Sequence, residues 1–318
     1  MPNSPQINIV IPLFNESMVF EELMNRILKL IEASELSIEV ILVDDGSTDE
    51  TVLKMRALSL SNSKIQSYFL SKNFGQQTAI AAGLQHANAT EAVLIVDGDL
   101  QDPPELLHDF YAHFKDGYDV VYAIRKKRKE SFFKVLLYKI FYRLLSTISE
   151  SDIFQDSGDF SLISMRVVKI LNAMPEKGKF IRGMRSWVGF KQKGVEYERD
   201  ERAMGKSKYS TKKLLHLAYN GLFNFSDFPI KFIARFALLI IGISLTYFGY
   251  VVFKKFFLGG VPDGFTALLF MIILFGGIQL MAIGILGQYI IRVFFQVKNR
   301  PDFILEEKIV HSVSTKTT

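Results

Sequence analysis

The sequence predicts an α/β layered domain followed by an apolar, membrane-directed part. Two observations predict it. From residue 7 to about residue 125, short apolar runs alternate with helix-like segments. After about residue 230, two long apolar stretches raise the chain to 49% hydrophobic residues and a mean hydropathy of +0.18.

The strands come first. "INIVIPL", Ile7 to Leu13, is almost wholly apolar and rich in β-branched residues. "SIEVILVDD", "KIQSYFLS", "EAVLIVDGD" and "YDVVYAIR" share that character. Runs of this length read as strands buried on both faces, as in a parallel sheet. Helices are expected between them. Glu16 to Ser34 repeats Leu23, Ile27, Leu30 and Ile31 at helical spacing. Thr48 to Ser61 opens near a residue able to cap free amides, and Gln76 to Ala87 is rich in alanine. Pro103 and Pro104 stand where a helix can begin, because the first turn does not need their missing N–H groups.

Ligands of such sheets bind beyond the carboxyl ends of the strands. There the sequence places "NE", "DDGS", "SKNFG" and "DGDLQD" in turn. One polar cluster is an ordinary turn; four on one edge point to a site. Residues 131 to 149 carry apolar residues along one helical side with Lys134, Lys139 and Arg143. This is either a core-facing helix or one lying on a membrane surface.

Phe232 to Phe253 and Phe265 to Ile291 are each long enough to span a bilayer, which takes about 20 apolar residues. The connection between them is short, so a hairpin is expected. Gly276, Gly277, Gly284 and Gly287 favour close helix packing. Lys231 and Arg235 precede the pair, and Arg292, Lys298 and Arg300 follow it. That balance favours both outer ends in the cytoplasm, although Lys254 and Lys255 in the connection oppose it. The ending "VSTKTT" reads as disordered.

Composition removes other classes. Cysteine is absent, which excludes disulfides and thiolate metal sites. The net charge is +5, and "RKKRK", Arg125 to Lys129, is the densest basic run. Such a run binds nucleic acid, anionic lipid or phosphate, or is simply solvated. No signal peptide is evident at the N-terminus, so the first domain is expected in the cytoplasm. "MGKSK" lacks the first glycine of a P-loop, "DGDLQDPPELLH" lacks the Gly and Glu of an EF-hand, and no dinucleotide glycine motif is present.

The acids Asp97, Asp99 and Asp102 crowd a strand end. Carboxylates there suit a hard divalent cation, which takes one or two carboxylates plus substrate phosphates. An isolated D-x-D pattern is weak evidence; its position after "VLIV" strengthens it.

"IVIPLFNE", "ILVDDGSTDET", "LSKNFGQQTAIAAGL", "VDGDLQDPPE", "DSGDFSL" and "RDERAMGKSKY" occur in order. With two C-terminal spans, the chain resembles the membrane-bound family-two glycosyltransferases that act on polyisoprenyl phosphates. These include dolichyl-phosphate mannose synthases and bactoprenol glucosyltransferases. The resemblance covers nearly the whole chain and implies a GT-A fold, a nucleotide-sugar donor, Mg²⁺ or Mn²⁺, and a polyprenyl phosphate acceptor. It implies a GT-A domain over residues 1–210, an amphipathic juxtamembrane segment over 211–231, two transmembrane helices over 232–253 and 265–291, and a cytoplasmic tail over 292–318.

Carried over by motif, Pro12, Asn15 and Glu16 line the nucleoside pocket, and Asp45, with Asp44 beside it, receives the base. Asp97 lies near the sugar and diphosphate with Gln101 close by, and Asp99 with Asp97 holds the metal. Asp159 of "DSGDF" takes the place of the catalytic carboxylate. Relatives often have Ala at Gly98 and Arg at Ser161; the serine removes one basic contact. Arg182, Arg202, Lys206, Ser207 and Lys208 would hold the acceptor phosphate, with Lys179 and Arg199 adding charge nearby.

The expected reaction moves a sugar with inversion from a UDP-glucose-like donor, or GDP-mannose, to undecaprenyl or dolichyl phosphate. The expected setting is a bacterial inner membrane, with the bilayer as partner and a separate flippase for the product. A homo-oligomer is compatible with this reading, and no nucleic acid is expected. Two rivals stand. A processive polysaccharide synthase would carry Q-x-x-R-W and more spans; "RSWVG" at Arg185 is not that motif. A membrane-anchored nucleotide or nucleic-acid binder would use "RKKRK" and would not need the acids.

Overall fold

The computed structural model describes residues 4–125, 157–197, 228–257 and 264–316. The chain divides into two compact units. Among the described residues, the first holds 4–125, 157–197 and 300–316, and the second holds 228–257 and 264–299. Most of the "RKKRK" run, the expected helix over 131–149, Arg199, Arg202, Lys206, Ser207, Lys208 and most of the juxtamembrane segment lie outside the described residues.

The first unit is built on a nine-stranded sheet. In chain order its strands are β1 (Ile7–Leu13), β2 (Ile38–Asp44), β3 (Ile65–Leu70), β4 (Ala92–Ile95), β5 (Val120–Arg125), β6 (Ser157–Ser164), β7 (Gln192–Tyr197), β8 (Leu305–Val310) and β9 (Val313–Lys316). Their spatial order is β7-β5-β6-β4-β1-β2-β3-β8-β9. The four-strand centre β4-β1-β2-β3 is parallel, as the apolar runs predict. The sheet as a whole is mixed, an antiparallel contribution that the apolar runs do not announce. β6 inserts antiparallel between β4 and β5, and β8 pairs antiparallel with β3. No periodicity in the sequence marks β6 as the neighbour of β4.

Alternation along each strand feeds two cores. Ile7, Ile9, Ile11 and Leu13 of β1 face one layer with Leu42, Leu94 and Phe160. Val10 faces the other with Ile41, Val43, Val93 and Ile163. The first layer is covered by α1 (Phe20–Ala33), which buries Phe20, Leu23, Met24, Ile27, Leu30 and Ile31 at helical spacing. α2 (Thr51–Ser61) and α4 (Leu107–Lys115) join it, α4 entered through a 3-10 turn at Pro104–Leu106. The second layer is covered by α3 (Gln76–His86), α5 (Met165–Ala173) and α6 (Ile181–Trp187). α3 lies close to the sheet at Gly83, where a Cβ would stand 2.3 Å from Val10 Cγ1.

Val313–Lys316 of the C-terminal ending form a strand, contrary to the expectation of disorder. β8 lays Ile309 into the first core and covers the edge of β3, while β9 pairs with β8. Buried Glu307 of β8 accepts from Arg56 of α2 at 2.5 Å and from Ser314 of β9 at 2.9 Å. Covering an edge satisfies backbone groups that would otherwise stand open.

The second unit holds α7 (Phe228–Phe257) and α8 (Phe265–Lys298). α8 runs past the expected limit at residue 291. It stops at Asn299, which adopts the left-handed conformation at φ 46°, and Pro301 follows. Within α8, Leu274–Lys298 is long and apolar enough to cross a membrane; it is the one such stretch among the described residues. Leu280 and Ile290 are largely exposed on α8, as are Leu239 and Ile243 on α7. Nothing lies within 4 Å of a Cβ built on Gly276, Gly277, Gly284 or Gly287. Close packing at these glycines is therefore not seen among the described residues.

Candidate active site

The loops after β1 and β2 are stitched together. Asn15, at φ 55°, donates its N–H to Ser47 Oγ at 2.9 Å, and its Oδ1 accepts from the Thr48 N–H at 2.8 Å. Glu16 donates its N–H to Thr51 Oγ1 at 3.0 Å. Pro12, next to last in β1, lies opposite Val43 of β2. Asp44 is buried and accepts from the Gly46 and Ser47 N–H groups of its own turn. Asp45 is also buried. It accepts from the Phe74 N–H at 2.7 Å and the Gly75 N–H at 2.9 Å, so it pins the turn that starts α3. Gly75 takes φ 99° there, a conformation that favours glycine. Burial pushes both carboxyls up, opposed by these hydrogen bonds.

The acidic loop after β4 divides its three carboxylates. Asp97 accepts from Gln76 Nε2 at 2.8 Å. Asp99 Oδ1 accepts from the Gln101 N–H at 3.2 Å. Between Asp99 and Gln101, Leu100 sits at φ 60°, a strained conformation for a residue of its size. Asp102 turns the other way. It is buried, and Tyr197 Oη of β7 donates to its Oδ1 at 2.5 Å. The Tyr197 ring packs edge-on to Phe160, which packs on Phe110.

β6 brings the fourth acid. Its register with β4 ends where Ile95 faces Ser161, and Asp159, two residues before Ser161, lies close enough to Asp97 for its charge to act on that carboxyl. The Asp159 side chain is 1% exposed. Arg182 of α6 grips it at two points, Nε to Oδ1 and Nη2 to Oδ2, both 2.7 Å. Gln77 Nε2 adds a bond to Oδ2 at 3.0 Å. Arg185, one helical turn on from Arg182, is buried with its guanidinium 5.2 Å from the Tyr122 ring centroid. Its Nη2 reaches the Gly158 carbonyl at 3.4 Å. Lys179 donates to the Leu171 carbonyl at 3.2 Å.

A family model described as Glycosyl transferase family 2 matches residues 8–171. An uncharacterized glycosyltransferase, YkcC of Bacillus subtilis, is 40% identical over 95% of this chain and 94% of its own length. A bactoprenol glucosyl transferase of Shigella flexneri, derived from the SfII prophage, is 35% identical over 95% of this chain and 98% of its own. The chain belongs to glycosyl transferase family 2.

The mixed α/β sheet is thus the GT-A-like core of a family 2 glycosyltransferase. Its electrostatics are uneven. Burial, followed by the charges of Asp102, Asp159 and Asp99, pushes the Asp97 carboxyl up to about 7. Burial alone would raise Asp159 as well, but the charge and hydrogen bonds of Arg182, the bond from Gln77 and the charge of Arg185 hold it below the usual carboxylate value. Burial draws Arg185 down to about 10, against the pull of Asp159.

The donor set fits a hard divalent cation. Asp97 and Asp99 offer carboxylate oxygens where negative charge is in excess. Among the described residues, no group of three or more His, Cys, Asp or Glu could hold a metal by itself. Two carboxylates completed by substrate phosphate oxygens are the usual Mg²⁺ arrangement.

Of the residues expected from sequence, the structure brings Asp97 and Asp159 together with Arg182. It turns Asp44 and Asp45 into loop anchors in addition to any contact they make with a donor. Sequence reasoning missed Gln76, Gln77, Arg185 and Tyr197. The glutamines were visible in "NFGQQ" at a strand end, and Arg185 lies three residues after Arg182 in "IRGMRSW". Nothing local marked Tyr197.

Proposed function

We propose that this glycosyltransferase moves a sugar from a nucleotide-sugar donor to a polyprenyl phosphate, with inversion, at the cytoplasmic face of a bacterial inner membrane. A UDP-glucose-like donor fits best, with GDP-mannose as the other candidate. The observation that carries the reading is the pairing of Asp159 with Arg182 beside Asp97. It sets a cationic acceptor side against an acidic donor side. The similarity to bactoprenol glucosyl transferases supports the lipid acceptor.

In this reading Pro12, Asn15, Glu16, Asp44 and Asp45 shape the nucleoside end, and Asp97 with Gln101 faces the sugar and diphosphate. An oxygen of the acceptor phosphate forms the new bond to the anomeric carbon. The bond from that carbon to the donor diphosphate breaks, and its electron pair leaves on the diphosphate oxygen. Mg²⁺ or Mn²⁺ held by Asp99 and Asp97 would neutralise charge on that diphosphate. The acceptor phosphate has a second pKa near 6, so it arrives largely ionised and needs little help from a base. Asp159, held in its charged form by Arg182, is a weak base. Its role is to fix Arg182 and balance its charge. Arg182, together with Arg202, Lys206, Ser207 and Lys208, receives the acceptor phosphate.

Chain connectivity supports a membrane hairpin. The second unit's described residues, 228–257 and 264–299, come in chain order between parts of the catalytic unit, because residues 300–316 rejoin its sheet. A segment with both ends tied to one unit crosses a bilayer an even number of times. In this reading α7 is the second span beside α8, and two spans are too few for a transport path, so a separate flippase moves the product.

The test incubates the detergent-purified protein with radiolabelled UDP-glucose or GDP-mannose, Mn²⁺ or Mg²⁺, and undecaprenyl or dolichyl phosphate. Lipid-extractable label with an inverted anomer is expected. A water-soluble polymer would instead identify a processive synthase. Absence of turnover together with tight nucleic-acid binding would identify a binding protein.

A further inference from the structure

We propose that Gln77 is a positioning residue, one that sets the Arg182–Asp159 pair by joining three elements through a single amide. Its Nε2 donates to Asp159 Oδ2 of β6 at 3.0 Å, and its Oε1 accepts from the Ile181 N–H of α6 at 2.9 Å. The orientation of the amide is dictated by its partners. A backbone N–H can only donate, and an ionised carboxylate can only accept, so flipping the amide would lose both bonds.

The bond to Ile181 supplies what α6 does not supply for itself. α6 is seven residues long, and Phe180 at its N-cap offers no side-chain acceptor. The first N–H groups of a helix have no partner within it, and a helix this short is marginal alone. Gln77 caps it from a neighbouring helix. The same α6 carries Arg182 and Arg185 one turn apart on a shared side. Gln77 therefore holds the helix that supplies the cations and the strand that supplies the anion.

Gln77 is itself held firmly. It lies in the first turn of α3, whose entry at Phe74 and Gly75 is bonded to buried Asp45. Its neighbour Gln76 bonds Asp97 on the donor side. One rigid turn thus addresses both carboxylates, and Gln77 serves the acceptor side. Small displacements of reacting groups cost rate steeply, so the role is catalytic in effect although Gln77 acts through Arg182 and Asp159.

The acceptor arm of this inference rests on the polyprenyl-phosphate reading; the structural arm does not. The experiment compares the full-length protein with Gln77→Leu and Gln77→Met, which keep the volume and remove both bonds. Hydrogen exchange is read at the α6 amides, with β1 and β2 as internal controls. Exchange at Ile181 and Arg182 should rise about tenfold in both variants, with the central strands unchanged. With undecaprenyl phosphate and whichever of UDP-glucose or GDP-mannose supports turnover, kcat/KM for the lipid should fall about 10- to 100-fold. Affinity for the nucleotide sugar should stay within about twofold of the wild type. Unchanged α6 exchange would overturn the proposal, as would equal losses on donor and acceptor or a loss of protection throughout the sheet. If the wild-type protein modified no lipid, the acceptor reading would fall, and the exchange result alone would still decide the role of Gln77.

Discussion

Asp159 of β6 and Arg182 of α6 form a two-point ion pair close to Asp97, both contacts 2.7 Å, with the carboxylate buried and the guanidinium side chain 31% exposed. The pair is separated by 22 intervening residues in the chain yet meets in one geometry, because α6 packs on the sheet face to which β6 contributes Ile163. A carboxylate buried to this degree persists in its charged form only with such a partner.

Asp159→Asn should therefore damage more than a proton-transfer step. It takes the Asp159 charge away from Arg182 and buried Arg185, and breaking such a partly buried pair costs about 3 kcal/mol. Transfer should fall more than about 100-fold and the melting temperature should drop. Arg182→Lys keeps the charge but cannot make the two-point grip, so its loss of stability should be smaller. Steady-state rates and thermal denaturation check both. Full activity in Asp159→Asn would remove the pair from the mechanism.

Tyr197→Phe removes the hydroxyl that holds Asp102 in its buried place. The cost should be about 1–3 kcal/mol, that of a buried acceptor losing its donor. Asp102 belongs to the loop that presents Asp97 and Asp99, so the donor KM should rise several-fold while the lipid KM stays near its original value. Equal shifts in both would detach Tyr197 from the donor side.

Arg56 and Glu307 differ in burial, with side chains 40% and 7% exposed. Removing the exposed partner should therefore hurt more. Arg56→Ala strands a buried carboxylate and should cost about 2–3 kcal/mol. Glu307→Gln keeps one oxygen for Arg56, its amide NH2 faces the Ser314 hydroxyl, which can turn to accept, and the change should cost about 1 kcal/mol. Denaturant midpoints, with proteolysis of the residues after 300, measure the difference; the reverse order would refute it.

Asp49 predicts an acid-side loss of stability. Partial burial raises its carboxyl, but bonds from Thr51 and Ser17 outweigh this and hold it at about 2. A carboxyl lowered on folding stabilises fully above its unfolded value, 3.8, and loses that contribution as pH falls through about 2. The full shift would be worth about 2 kcal/mol, and solvent screening at this partly exposed site reduces it to about 1 kcal/mol. Chemical denaturation of wild type and Asp49→Asn should differ by that amount at pH 6 and converge near pH 2. A constant gap would place the interaction elsewhere.

The sequence by itself determined the local alternation and its polarity. Leu23, Ile27, Leu30 and Ile31 face one way because helical spacing requires it, and all four are buried in α1. The runs at Ile7, Ile38, Ile65 and Ala92 became the central parallel strands because apolar residues dominate both faces of each. The acids at the strand ends were legible for the same reason: a polar residue ending an apolar run has to emerge at an edge.

Only the tertiary structure decided which edges meet. Periodicity states which face is buried but not what it is buried against. β6 between β4 and β5, and β8 on β3, are long-range antiparallel pairings chosen by packing over the whole sheet. Those choices put Asp159 before Asp97, gave Asp102 the distant Tyr197, and drew the polar C-terminal ending into the fold through Ile309 and Glu307. Gln77 was unreadable for the same physical reason: an amide has no preferred neighbour until the backbone around it supplies one donor and one acceptor.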